Sequence, residues 1–272
     1  MTTLDFTSTS ADGLRHAADP LISITTIVAN LGSQPVITFP MFTGEAADAG
    51  WVWDYLEEPA DFFGIAMPAR DELGSAFERF AASPSVGAGH ALLAVTVMLI
   101  ESNGRAQFVI TASPARRFDP TPVRIAVTSD VQWPAPDATD PQWRRMAMRT
   151  ASRGHVDQLR RWLNDDGFSD VVRRREESSI GAPALGALVF DHADGLTGFD
   201  DPYPVGVLGL MERCGAVCAG TIGRHAEIAG YGEASSAWWI SPLFEVHPVD
   251  QIGDVRYESE NGFPTRLLGR RS

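Results

Sequence analysis

Hydrophobic and polar positions follow two different periods along this chain. In "RDELGSAFERFAAS", from Arg70, the apolar residues Leu73, Ala76, Phe77 and Phe80 recur at helical spacing. Acids stand in its first turn, where the helix dipole favours them. The stretch predicts an amphipathic helix. "HALLAVTVMLIESNGRAQFVITASP" instead carries two apolar runs on either side of Ser102-Asn103-Gly104. Asn-Gly is a strong two-residue turn signal, so this segment predicts a β-hairpin. A third strand is expected in "VRIAVTS", from Val123. "LISITTIVANL", residues 21–31, fits a buried strand or a short helix, and its β-branched content favours the strand.

The later half repeats this mixture. A helix is expected over residues 155–164, with Val156, Leu159 and Leu163 on one side and Gly167 as a left-handed cap. "APALGALVFDHADGLTGF" predicts a strand, a turn over residues 193–195 and a return strand. "GVLGLMERCG" predicts a helix closed by Gly215, and "AVCAGTIG" a strand after it. "SSAWWIS" and "FEVHPVDQI" suggest further strand and loop. Between the halves, "QWPAPDATDPQ" carries three prolines and reads as a linker. The pattern predicts a mixed α/β protein of two lobes: residues 1–131, a linker over 132–142, and residues 143–272.

Composition narrows the function classes. The chain has 272 residues, and 44% hydrophobic with 21% charged content is ordinary for a globular protein. A net charge of −13 argues against nucleic acid and anionic membrane partners, because both need clustered cations. The N-terminus lacks the basic start and apolar run of a signal peptide. No apolar run reaches the roughly 18 residues of a membrane span. Cys214 and Cys218, four apart with no histidine at ligand spacing, read as packing thiols in a reducing cytoplasm. "FDHAD" reads as a hairpin tip and not as a metal site. "VGVLGL" lacks the third glycine of a dinucleotide loop, and no nucleophile elbow or P-loop occurs. No metal is expected. All 22 basic side chains are arginine, and there is no lysine anywhere. With high alanine and glycine, this matches a GC-rich bacterial genome.

The order of segments from Gln142 to Ile252 resembles the pyridoxal-phosphate enzymes of fold type IV. That group includes branched-chain and D-amino-acid aminotransferases and aminodeoxychorismate lyase. "RTASR" (residues 149–153), a helix and then "GFSDVV" resemble the family's lysine-bearing stretch with its succeeding helix and strand start. "GAPALGALVF" is similar to its next strand and "YPVGVLGLMER" to its phosphate-binding turn. "FEVHPVDQI" closely matches a late segment. The resemblance implies a two-lobed fold type IV architecture and a homodimer.

The departures from the family carry the functional expectation. Arg149 falls at the Schiff-base lysine, and a guanidinium stays protonated and cannot form the imine. Gly181 falls near the glutamate that pairs with the pyridinium nitrogen. Leu208 and Gly209 fall at the threonine and arginine of the phosphate turn. Three parts of one site have changed together, so no cofactor is expected. The resemblance implies two possible functions. The first is an enzyme of lyase, cyclase or isomerase type that works without pyridoxal phosphate on a small anionic metabolite. Its candidate groups are Arg149 and Arg153 as anion clamps, His155 as acid or base, and Tyr203 and Glu245. Each has a plainer use: His155 as a helix-start residue, Glu245 in backbone hydrogen bonds, Arg149 paired with an acid such as Asp157. The second is a non-catalytic binding or partner subunit, with Trp51, Trp53, Trp238 and Trp239 serving an interface or the core.

Overall fold

The computed structural model describes residues 4–9, 13–16, 32–45, 47–82, 91–102, 105–129, 140–152, 154–176, 178–201, 205–258 and 264–268. It divides into two compact units, Met1–Ala115 with Asp140–Arg153, and Arg116–Thr139 with Gly154–Ser272. The expected segment at residues 21–31 lies outside the described residues, as do residues 132–139 of the linker.

The first unit holds five described strands: β1 (Leu4–Thr9), β2 (Gly13–His16), β3 (Val36–Phe42), β4 (Leu92–Ser102) and β5 (Arg105–Ala115). They pair antiparallel throughout, in the order β2-β1-β5-β4-β3. The expected hairpin strands are β4 and β5, with Ser102 opposite Arg105. Its described helices are α1 (Ala49–Phe63), α2 (Arg70–Ala81) and α3 (Gln142–Ala147). Helix α2 buries Leu73, Ala76, Phe77 and Phe80, the apolar stripe of its sequence. Phe77 meets Phe39 of β3 edge-on, with ring centroids 6.0 Å apart.

Helix α1 has no counterpart among the expected elements, because Pro59 stands inside it. Proline lacks the N–H that an inner turn donates. The ends compensate. The Asp48 side chain accepts from the Trp51 N–H at 3.0 Å, and Gly64 closes the helix at φ 68°. Burial of Val52, Leu56, Pro59 and Ala60 holds the rest.

The second unit contains β6 (Val123–Thr128), α4 (Gly154–Asp165), β7 (Asp170–Glu176), β8 (Ser179–Pro183), β9 (Ala187–His192) and β10 (Gly195–Phe199). After them come α5 (Val207–Arg213), β11 (Ile222–His225), β12 (Glu227–Ala229), β13 (Ser236–Ile240), β14 (Val246–Ile252) and β15 (Val255–Arg256). The strand order is β11-β10-β9-β13-β14-β6-β7-β8-β12, with β15 paired to β14. Its core gathers Ile125, Val172, Ile180, Leu188, Phe190, Trp239, Val249 and Ile252.

Two expectations need correction. The strand after α5 begins at Ile222 and not at Ala216, because Gly215 and Gly220, at φ 72° and 73°, turn the chain between them. The unit boundaries also differ from residues 131 and 143. Strand β6 is hydrogen-bonded in parallel to β14 and β7, which ties residues 116–128 to the second unit. Residues 149–151 pair instead with 34–36: Val36 N–H donates to the Arg149 carbonyl and Ala151 N–H to that of Gln34, both at 2.9 Å. No described helix is long and apolar enough to cross a membrane.

One loop of the second unit makes a pH prediction. Thr121 holds the Asp119 carboxyl below the ordinary aspartate range, through its hydroxyl and through its backbone N–H at 2.9 Å. A depressed folded pKa contributes stability above the unfolded value, and that contribution disappears as pH falls through the folded value. Asp119→Asn should therefore flatten the acid limb of melting temperature against pH, read between about pH 5 and about pH 2.

Candidate functional site

Arg149 follows α3 directly. Its backbone N–H donates to Met146 at 3.0 Å. Its side chain is 3% exposed, and its guanidinium is engaged on three sides within the first unit. One terminal nitrogen donates to Glu58 Oε2, the other to the Tyr55 carbonyl. The guanidinium carbon stands 4.2 Å from the Tyr55 ring centroid. Tyr55 and Glu58 share a face of α1 because they are three residues apart. Arg149 Nε is buried with no partner among the described residues. Its acid is thus Glu58, 91 positions away in sequence, while Asp157 lies near Arg160 at 4.0 Å. Such a guanidinium anchors residues 149–151 to α1. It offers no nucleophile and little free donor surface to an anion.

The other positions assigned by the resemblance belong to the second unit. A Cβ at Gly181 would meet Arg175 Nε at 3.1 Å, so a cation stands beside this position. Leu208 is 2% exposed and packs as core. Beside it, Gly209 N–H donates to Asp201 Oδ1 at 3.2 Å, and a Cβ there would fall 2.1 Å from Asp201 Oδ2. Arg224 holds that acid at 3.7 Å and donates to Glu212 at 2.5 Å. The first turn of α5 therefore carries this chain's own carboxylate, which repels a phosphate. The chain has no lysine amine for an imine, Arg175 stands beside Gly181, and Asp201 accepts from the first turn of α5.

Arg153 and Tyr203 lie outside the described residues. His155 is exposed in the first turn of α4. Glu245 accepts the Arg116 backbone N–H at 3.2 Å, and its own N–H donates to Ser241 Oγ at 3.1 Å. Arg149 belongs to the first unit, and His155 and Glu245 to the second. Trp51 and Trp53 are half-buried, and Trp238 and Trp239 are each 7% exposed. Cys214 donates to the Met211 carbonyl, and among the described residues no three His, Cys, Asp or Glu groups cluster as metal ligands.

Sequence reasoning passes over Asp170. This carboxylate is fully buried at the start of β7 and collects N–H donors from two other segments. Oδ1 accepts from Val171 at 2.8 Å, Ala184 at 3.1 Å and Leu185 at 3.0 Å. Oδ2 accepts from Gly186 and from Trp239 Nε1, both at 2.8 Å. Burial pushes the Asp170 carboxyl above the ordinary aspartate value, and the bonds from Trp239, Gly186, Val171 and Leu185 pull against it. Its only sequence signal is an acid directly before the apolar pair Val171-Val172.

Architecture and strand order together define the class: the chain has the two-unit α+β fold of fold type IV pyridoxal-phosphate enzymes. Neither a protein-family model nor a curated protein matches the sequence. A fold IV transaminase from Curtobacterium pusillum aligns over 96% of this chain and 95% of its own, with 14% identity and a TM-score of 0.62. A hypothetical aminotransferase from Mycobacterium tuberculosis, in its PLP-bound form, covers 94% and 93%, with 16% identity and a TM-score of 0.65. A putative 4-amino-4-deoxychorismate lyase from Legionella pneumophila covers 90% and 91%, with 14% identity and a TM-score of 0.58. What this chain shares with them is the fold.

Proposed function

We propose that this protein uses the fold type IV scaffold without lysine-bound pyridoxal phosphate, as a cytoplasmic, homodimeric, non-catalytic binding protein for a small anionic metabolite. One observation carries the proposal: the side chain at the Schiff-base position is an arginine closed by Glu58 and Tyr55 and 3% exposed. The cation beside Gly181 and the carboxylate on the α5 turn point the same way. An enzyme that clamps its substrate with Arg149 is less well supported, because that guanidinium is already engaged.

The test is native mass spectrometry of the purified protein with and without pyridoxal phosphate, alongside visible absorbance. Neither a stoichiometric adduct nor a lysine-aldimine band is expected in the wild type. Arg149→Lys should also stay colourless. It should lose about 1–2 kcal/mol of stability, because an ammonium replaces neither the two-nitrogen fork nor the stack on Tyr55. Stoichiometric cofactor in the wild type, or a stable and coloured Arg149→Lys variant, would overturn the proposal. Light scattering checks the dimer.

A further inference from the structure

Helix α4 leaves an apolar stripe open on the second unit. The helix packs on β6 and β7 through a small cluster in which Ala126, Leu163 and Val171 are buried. Leu163 is its buried side chain. Leu159 packs only partly against that cluster, as do Phe168 and Leu185 beyond the helix. Trp162, one turn from Leu159, is 51% exposed. Large apolar side chains left open in one patch mark contact surfaces, and tryptophan is the residue that anchors such contacts best.

The stripe has a symmetry of its own. His155, Leu159, Trp162 and Asp166 follow one another at steps of four, three and four, so they lie along one side of the helix. Asp166 continues the helical path, since its N–H donates to the Trp162 carbonyl at 3.4 Å. His155 and Asp166 are both exposed. The spacing reads the same in reverse. A second α4 laid antiparallel on the first therefore sets each Leu159 against the second copy's Trp162, and each His155 against the second copy's Asp166. Within one copy those two end residues stand roughly 16 Å apart along the helix axis, too far to meet.

Charge favours this occupant. The chain carries a net −13, so two copies repel over most of their surface. Helix α4 is neutral by contrast, because Asp157 and Asp165 balance Arg160 and Arg161. At each end of the stripe an imidazole N–H can donate to a carboxylate. The same carboxylate meets the positive N-terminal end of the other copy's helix. We infer that α4 forms a two-fold interface between copies of this chain, with Leu159 and Trp162 at its centre and His155–Asp166 contacts at its ends. The inference rests on the homodimeric reading above and names the surface that builds the dimer.

The experiment is sedimentation velocity of the full chain over a dilution series. The wild type is expected to sediment as a dimer. Trp162→Glu should raise the dimer Kd by about thirtyfold or more while melting like the wild type. His155→Asp should weaken the dimer by about tenfold, because it sets a second carboxylate against Asp166. Adding Asp166→Arg to His155→Asp should restore the dimer, since each new aspartate then meets the other copy's arginine. That exchange reads the contact between copies even if Trp162→Glu fails to fold. A wild-type dimer that survives Trp162→Glu, an unaffected His155→Asp dimer, or a charge exchange without rescue would overturn the inference alone. A monomeric wild type would overturn it together with the homodimeric reading.

Discussion

Asp170→Ala is expected to destabilise the fold by about 3–5 kcal/mol, the largest effect of any single side-chain removal here. The carboxylate is fully buried and satisfies backbone N–H groups of Val171, Ala184, Leu185 and Gly186 together with the Trp239 indole. Alanine leaves these donors in a dry interior with nothing to accept them, and the penalty of each orphaned group adds to the cavity left behind. Asn does not rescue the site, because its NH₂ points donors at donors. The measurement is the urea midpoint, with the slope of the transition checked for constancy. Trp239→Phe removes only one donor and should cost about 1–2 kcal/mol. In the Asp170→Ala background its effect should shrink, because the indole has already lost its acceptor. Additive losses would show that the carboxylate does not organise these donors.

Gly186→Ala is expected to lower stability by about 3 kcal/mol. The backbone of Gly186 passes so close to β13 that a Cβ would lie 2.3 Å from the Ile240 carbonyl oxygen and 2.5 Å from Trp239 Nε1. A carbonyl inside a paired strand cannot swing aside, so the 184–186 loop must move and release its hold on Asp170. Gly209→Ala is the informative contrast. The three atoms nearest its Cβ would all belong to the Asp201 carboxylate, the end of a flexible side chain that can rotate away, so less than about 1 kcal/mol should be lost. Melting temperatures of the two variants, with near-ultraviolet dichroism to follow Trp239, test the difference. Equal losses would mean that backbone approach at Gly186 is not the constraint.

Local chemistry explains which elements are legible in the sequence. Helix α2 shows its apolar stripe, and the β4–β5 hairpin its turn signal, because their determinants lie within one turn of helix or one pair of strands. Helix α1 is hidden because Pro59 contradicts the local pattern and distant packing overrides it. The strand after α5 is displaced from its expected start because glycine at positive φ is a property of the folded backbone, not of composition. The unit boundaries are equally illegible. Whether β6 belongs to one sheet or another depends on pairing with β14, more than a hundred residues later.

The absence of lysine is a property of the sequence alone, and it excludes a lysine imine whatever the fold. The order of short segments in the second half likewise points to fold type IV, because each is a local turn or strand signal. Tertiary structure decided where the charges went. It set Arg149 against Glu58 of α1, placed Asp201 over the α5 turn and wrapped Asp170 in N–H donors. The reason is physical. A side chain's type sets what it can bond, but its partner is set by burial and by contacts between residues far apart in sequence, and no local pattern encodes those.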